Sequence, residues 1–428
     1  MLDVKFVTQN IDLIKSNIKQ RHMNANVDLI VQIHNDMRLA QGKLDRLNSE
    51  RNKKSKVFPS LEDEDARLKI RSEINSLDEE VATLKSNLES LKGTLVNEMY
   101  KIPNLCASDV PEGKTDEDNL VVSTFLAPPR FGFNPKSHIE LMEDLDLVDF
   151  SAGARVTGSK FYFLKNEAVI LELALIRFAL DIAMKHGFSP MLTPDLARNE
   201  IIRGSGFEPR GEESQIYRIE GEEISLIGTS EITIGGYYSN EVLDIKDLPV
   251  KKCGVSQCFR TEAGAYGRES KGLYRVHQFN KVELYYFCLP EESDSTLETL
   301  REIEEEVYQT LELPYQVVSV CKGDLGAPAF KKYDIEAWML SKGINGGYGE
   351  VTSASNCTDY QTRRLNIRFR NPKTKKLEFV HTLNGTAIAT TRTMLAIIEN
   401  FQDSKGNIVI PKALRDYTGF DKIEKKNI

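Results

Sequence analysis

A spaced set of charged and aromatic residues in the second half of the chain carries the most chemical information. Arg260 and Glu262 lie in CFRTEAG. Arg275, Phe279 and Glu283 lie in YRVHQFNKVE, Glu350 in GEVTSASNCTDYQ and Arg392 in NGTAIATTR. Such a set could hold a triphosphate, a metal ion and a small amino acid in one pocket. The chemistry that fits is attack of a carboxylate on the α-phosphorus of ATP. Two anions meet in that step, and arginines neutralise both through bidentate hydrogen bonds. Pyrophosphate leaves with charge spread over its oxygens, a task for Mg²⁺ and Arg392. Phe279, among two cations and a carboxylate, suits a purine ring stacked beside phosphates. Glu350 precedes the small polar run VTSASNC, whose hydroxyls and Asn356 could line a polar cavity while the carboxylate takes the metal. Thr229, Ser230 and Glu231 form another polar group after SLIG. There Thr229 could meet an amino-acid ligand and Glu283 its ammonium, although a helix cap is the competing reading of TSE.

These residues need strands to hold them. Arg260 ends a predicted strand, the loop Ala263–Gly272 follows, and LYRVHQFNKVELYYF reads as the returning strand. Period-two alternation then puts Arg275, His277, Phe279, Lys281 and Glu283 on one face, which is either a pocket wall or a solvated outer face. Further short apolar runs, SLIGTSEI, YQVVSVC, YDIEAWML, RRLNIRFR and LEFVHTLN, are mostly bounded by Gly, Pro or Asp. MLTPDLA reads as a short strand. Helices are expected at Ile170–Lys185, near Leu297–Leu311 and at Thr391–Asn400. Many strands with few helices between them predict an antiparallel α+β domain. No GxGxxG follows a first strand and no GxxxxGK[ST] is present, which disfavours dinucleotide-binding and P-loop folds.

The first hundred residues differ in kind. Ile30, Ile33, Met37, Ala40, Leu44 and Leu47 recur at gaps of three and four up to the basic run RNKKSK, and Pro59 breaks the helix. A second seam runs through Ile70, Ile74, Leu77, Val81, Leu84, Leu88, Leu91 and Leu95. Two heptad helices across a short turn predict an antiparallel coiled-coil hairpin. Its core is too thin for a catalytic pocket, so it is a lever, a spacer or a binding surface. The expected organisation is an N-terminal domain at 1–100, a proline-rich linker at 101–136 and a catalytic domain at 137–428.

The chain has 428 residues, 40% hydrophobic and 28% charged, with net charge -8. That balance fits a globular protein and argues against broad nonspecific binding of nucleic acid, DNA included. No apolar run reaches the roughly 18 residues of a membrane span. The opening MLDVKFVTQN lacks the apolar core of a secretory signal. Cys253, Cys258 and His277 lack a fourth ligand and standard zinc spacing, so a metal is better sought on carboxylates.

The residues also carry a resemblance. FRTE, its loop and RVHQFNKVE resemble motif 2 of the class II aminoacyl-tRNA synthetases. NGTAIATTRTMLAIIEN resembles motif 3, and ALDIAMKHGFSPMLTPDL resembles motif 1. TSE, SNCTDYQTRRLNIRFR, HTLNGT and the two-helix arm resemble the seryl-tRNA synthetase members, over essentially the whole chain. The resemblance implies formation of seryl-adenylate from L-serine and ATP, then transfer of serine to the 3′-terminal adenosine of tRNA(Ser), with tRNA(Sec) a further acceptor. It implies a cytoplasmic homodimer. It gives Arg260, Glu262, Arg275 and Arg392 catalytic roles. Val276, Phe279, Glu350, Val351 and Ser353 would join them around ATP, with Glu350 and Ser353 on Mg²⁺. Thr229, Glu231, Arg260, Glu283, Asn384 and Thr386 would bind serine, and Thr386 would read its hydroxyl. Arg51, Lys53, Lys54 and Lys56 would contact tRNA phosphates. GTAIATTR departs from the common bacterial GSGLAVGR, with Ala387 and Thr391 replacing glycines, which leaves the lineage open. The alternatives are an amino-acid:carrier-protein ligase, a catalytically silent tRNA-binding paralogue and a purely structural coiled-coil protein. The first lacks such an arm, the second would not need the charged set, and the third would not need the strands.

Overall fold

Heptad spacing in the first unit, Met1–Pro103, becomes a helical hairpin. Two short helices, α1 (Val4–Gln9) and α2 (Ile11–Gln20), precede its first arm, α3 (Val27–Val57). The Asn26 side chain starts α3 by accepting from the Leu29 amide at 3.0 Å. A single turn, Phe58–Ser60, carries Pro59 and reverses the chain. The second arm, α4 (Glu64–Tyr100), is 37 residues long, about 55 Å at 1.5 Å per residue. Leu44, Val81 and Leu88 are buried between the arms, flanked by Met37, Ala40, Leu47 and Leu84. Of the basic group near the turn, Lys53 and Lys56 are exposed. Arg51 and Lys54 instead reach across to α4, meeting Asp78 at 2.5 Å and Glu73 at 2.7 Å.

The computed structural model describes residues 1–207, 215–262 and 272–425. The second unit, Asn104–Ile428, is built on an eight-stranded sheet. In chain order the strands are β1 (Leu120–Phe125), β2 (Ser189–Leu192), β3 (Val250–Phe259), β4 (Gln278–Cys288), β5 (Tyr315–Ser319), β6 (Lys331–Met339), β7 (Gly347–Thr358) and β8 (His381–Ala389). Across the sheet they run β1-β5-β6-β7-β8-β4-β3-β2. Neighbours are antiparallel except β2 and β3. Helices α5 (Glu167–Lys185), α7 (Ser293–Thr310) and α9 (Thr390–Asn400) supply one core with the sheet, through Leu171, Phe178, Leu300, Val307 and Leu395. Short helices α6 (Glu231–Tyr237) and α8 (Tyr360–Leu365) lie between them in sequence order. On α5 the opposite face leaves Val169, Ile170, Leu173 and Met184 exposed. No helix among the described residues is long and apolar enough to cross a membrane.

Several expectations differ from this architecture. The stretch expected as a linker, 101–136, contains β1, which pairs with β5 at the sheet edge. An edge strand exposed along most of its length shows no apolar alternation, so prolines dominated its reading. RRLNIRFR is not one strand. Its first residues end α8, Asn366 leaves the helix at φ +57°, and only Arg368–Arg370 is extended. MLTPDLA is divided between β2 and a separate short strand, Leu196–Arg198, because Pro194 interrupts pairing. The returning strand begins at Gln278, so Arg275 and His277 precede it. The loop expected at Ala263–Gly272 lies, but for Gly272, outside the described residues.

Candidate active site

Pairing between β3 and β4 continues one step past β3. The Arg260 amide donates to the His277 carbonyl at 2.9 Å, and His277 Nδ1 donates to the Arg260 carbonyl at 2.8 Å. This holds Arg260 at the mouth of a cleft. Its guanidinium donates to the Gly228 carbonyl and lies against the rings of Phe207 and Phe279, at 5.9 and 5.4 Å. Glu262 adopts φ +47° and is fixed by Gln215, whose Oε1 accepts from its amide at 3.0 Å. The Glu262 carboxylate meets Arg275 at 3.0 Å. Alternation on β4 turns Phe279, Lys281 and Glu283 into the cleft and Val282 and Leu284 into the core.

Arg392 lies in the first turn of α9. It donates to the carbonyls of Tyr274 and Glu350 at 3.2 and 2.9 Å, stacks on the Tyr274 ring at 4.7 Å, and meets the Glu350 carboxylate at 3.1 Å. Partial burial works against a charge on Glu350, but Arg392, Lys332 and Arg260 outweigh it and hold the carboxyl down to about 2. Glu350 is therefore an anion that stays ionised beside cations. With Ser353 it offers an oxygen-only donor set, the kind Mg²⁺ accepts alongside phosphate oxygens and water. Among the described residues no group of three His, Cys, Asp or Glu could hold a metal alone. Burial pushes the Cys253 thiol up to about 12, which suits an inert core thiol.

At the other end the cleft is lined by buried acids and hydroxyls. Thr386 Oγ1 donates to Glu283 at 3.2 Å, and Lys281 pairs with the same carboxylate. Glu231 accepts from Asn384 at 2.9 Å and from Gln361. Burial, then the nearby Glu283 carboxylate, raises Glu231 to about 7. Burial also raises Glu283, against the pull of Lys281. A cation brought near these two carboxyls would favour their ionised forms. The TSE segment does start a helix: Ser230 is the residue before α6, but its side chain turns to the Gly254 carbonyl, and Thr229 Oγ1 accepts from the Glu231 amide.

The residues assigned by resemblance to ATP, serine or metal line this one cleft, whose space is about 190 Å³; Asn356, expected to line a polar cavity there, does not, its side chain donating instead to Asp294 at 3.2 Å. His277 does not line it; the ring packs between Phe161 and Tyr217. Phe207, Tyr274, Thr352 and Thr391 line it as well. Tyr274 stood beside Arg275 without any periodic signal, and Thr352 lay inside the polar run already singled out.

Residues 215–401 match the tRNA synthetase class II core domain (G, H, P, S and T), and residues 1–106 match the seryl-tRNA synthetase N-terminal domain. The serine–tRNA ligase of Treponema denticola is 50% identical over 424 residues, covering 99% of this chain and all of that one. The seryl-tRNA synthetase of Pyrococcus horikoshii, solved in complex with ATP, is 39% identical with a TM-score of 0.91 and full coverage of both chains. The cytoplasmic serine–tRNA ligase of Naegleria fowleri, solved with AMP, is 30% identical with a TM-score of 0.85, covering all of this chain and 99% of that one. The chain belongs to the seryl-tRNA synthetase family of the class II aminoacyl-tRNA synthetases.

Proposed function

We propose that this chain activates L-serine with ATP and transfers it to tRNA(Ser), using the cleft for both steps. The observation that carries the reading is the grouping of side chains within the cleft: arginines at Arg260, Arg275 and Arg392, and buried carboxyls at Glu231 and Glu283. The arginines suit ATP and the carboxyls suit the serine ammonium.

In the first step a serine carboxylate oxygen attacks the α-phosphorus. A new phosphorus–oxygen bond forms, the bond to the β-phosphate oxygen breaks, and pyrophosphate departs. Arg260 neutralises the two anions that meet. Phe279, Val276 and Glu262 hold adenine, while Arg275 and Arg392 take the β- and γ-phosphates. Thr229, Glu231 and Glu283 bind the ammonium, and Asn384 orients Glu231. Thr386 receives the serine hydroxyl. Glu350 and Ser353, with the Val351 backbone beside them, are the Mg²⁺ site, and the ion when bound neutralises phosphate charge. In the second step the terminal ribose hydroxyl of tRNA attacks the seryl carbonyl and AMP leaves.

The arm binds tRNA outside the anticodon, with Lys53 and Lys56 free to meet phosphates; tRNA(Sec) is a further acceptor. A homodimer is supported by the exposed apolar face of α5 and by Leu192, 87% exposed on β2. ATP and tRNA as substrates argue for the cytoplasm. The test is amino-acid-dependent ATP–pyrophosphate exchange over all twenty amino acids without tRNA, followed by tRNA charging. Exchange with serine alone supports the reading. No exchange from the folded protein with Mg²⁺ would favour a silent tRNA-binding protein instead.

A further inference from the structure

Pairing of β7 with β8 stops at Ala354 and Gly385, although both strands continue beyond that pair. The opening this leaves borders the cleft, and two side chains fill its underside. Thr352 Oγ1 donates to the Thr386 carbonyl. Glu304, from α7, lies beneath Gly385: a Cβ on that glycine would stand 2.8 Å from Glu304 Oε1. Glu304 is wholly buried, and neither carboxyl oxygen closes a hydrogen bond of normal geometry. An unpaired buried carboxyl is costly to keep. The Thr352 hydroxyl and the Thr386 backbone are the polar groups positioned to interact with it by hydrogen bonding. Alternation on β8 places Asn384 and Thr386 on the cleft side and Gly385 on the α7 side.

We propose that Glu304 is a positioning residue for amino-acid selection: its carboxyl bridges the Thr352 hydroxyl and the Thr386 backbone from below, fixing where the Thr386 hydroxyl stands. The inference rests on the reading of Thr386 as the partner of the serine hydroxyl. Burial, reinforced by the Glu283 and Asp334 carboxylates and opposed by Thr352, drives the Glu304 carboxyl well above its ordinary range. It is then a neutral acid, with one O–H to donate and one carbonyl to accept. The O–H can donate to Thr352, whose own hydrogen goes to the Thr386 carbonyl, while the carbonyl faces the Thr386 amide. Thr386 lies one residue past the last β7–β8 pair, where this bridge can serve its backbone. A side chain at Gly385 would push the carboxyl off this position.

The test measures exchange kinetics with serine and with alanine for the parent, Glu304→Ala, Glu304→Gln and Thr386→Val. Glu304→Ala is expected to lower the serine-to-alanine ratio of kcat/KM about tenfold. The loss should fall on KM for serine, with KM for ATP within about twofold of the parent. Glu304→Gln, which keeps a donor and an acceptor in the same volume, should hold the ratio within about threefold. A parental ratio in Glu304→Ala, with a lost ratio in Thr386→Val, overturns the positioning role and leaves the Thr386 assignment standing. A parental ratio in both removes the Thr386 assignment and this inference together. Gln as damaging as Ala would also overturn it, by pointing to charge. If Glu304→Ala does not fold, Glu304→Met, which keeps most of the volume but removes the donor and acceptor, takes its place: a reduced ratio supports the bridge and a parental ratio overturns it.

Discussion

The arm and the cleft both set lysines and arginines against carboxylates, at similar distances and to different ends. On the arm, Lys54 meets Glu73 at 2.7 Å, with the two side chains 28% and 40% exposed. Water and salt weaken such pairs, so they favour the hairpin register without deciding its stability. In the cleft, Lys281 pairs with Glu283 while both are almost wholly enclosed. There each charge is costly to bury and exerts a strong field on its neighbours. Surroundings, more than separation, decide whether an ion pair is mild cement or chemical machinery.

The largest contrast should come from Arg392→Ala, which leaves the arm untouched and removes the cation facing Glu350. Serine-dependent exchange is expected to fall about 10²–10³-fold in kcat, and a drop under tenfold would make Arg392 structural. Replacing Asp28–Leu95 by a short linker should do the converse. Charging should fall about 10²-fold with the loss of phosphate contacts while exchange stays within about threefold. Equal loss of both activities would make the arm a folding support.

A subtler effect concerns Glu231, which lies near 7 in the folded chain against an ordinary 4.5. Between those values the native state binds more protons than the unfolded chain. The contribution of Glu231 to stability therefore declines as pH rises through that window. Glu231→Gln removes the decline. Its stability relative to the parent should rise from pH 5 to pH 8 by about 2–3 kcal/mol, read by denaturant titration at each pH. A constant offset would show that the carboxyl is not held neutral. The smallest effect belongs to the arm: Lys54→Ala should leave the melting midpoint within about 2 °C. A larger shift, measured calorimetrically, would erase the contrast between exposed and enclosed pairs.

The hairpin was legible because heptad spacing is a local signal that tertiary contacts do not override. The cleft residues were legible through short motifs whose charged members have few other reasons to recur together. What escaped was set by distant packing. β1 has no alternation, since it lies exposed at an edge. α8 buries Tyr360, Gln361, Thr362 and Leu365 against neighbours far away in sequence, which made a helix of residues that read as a strand. Glu304 sits in the acidic run EIEEE, which reads as a solvated face. Yet it follows Leu300 by four residues and precedes Val307 by three, on the buried stripe of α7. That spacing was the available sign that one of these acids lies inside.

The position of β1 also bears on how the chain is made. The hairpin precedes β1 in the chain and its contacts are short-range, so it can fold early. β1 follows at once with Leu120, Val121 and Val122 exposed, but its partner β5 is synthesised only after β2, β3 and β4. Until then an apolar strand waits with its hydrogen-bonding edge open, a hazard for contact with other nascent chains. The folded arm just ahead of it in the chain stays attached to that vulnerable segment throughout the interval.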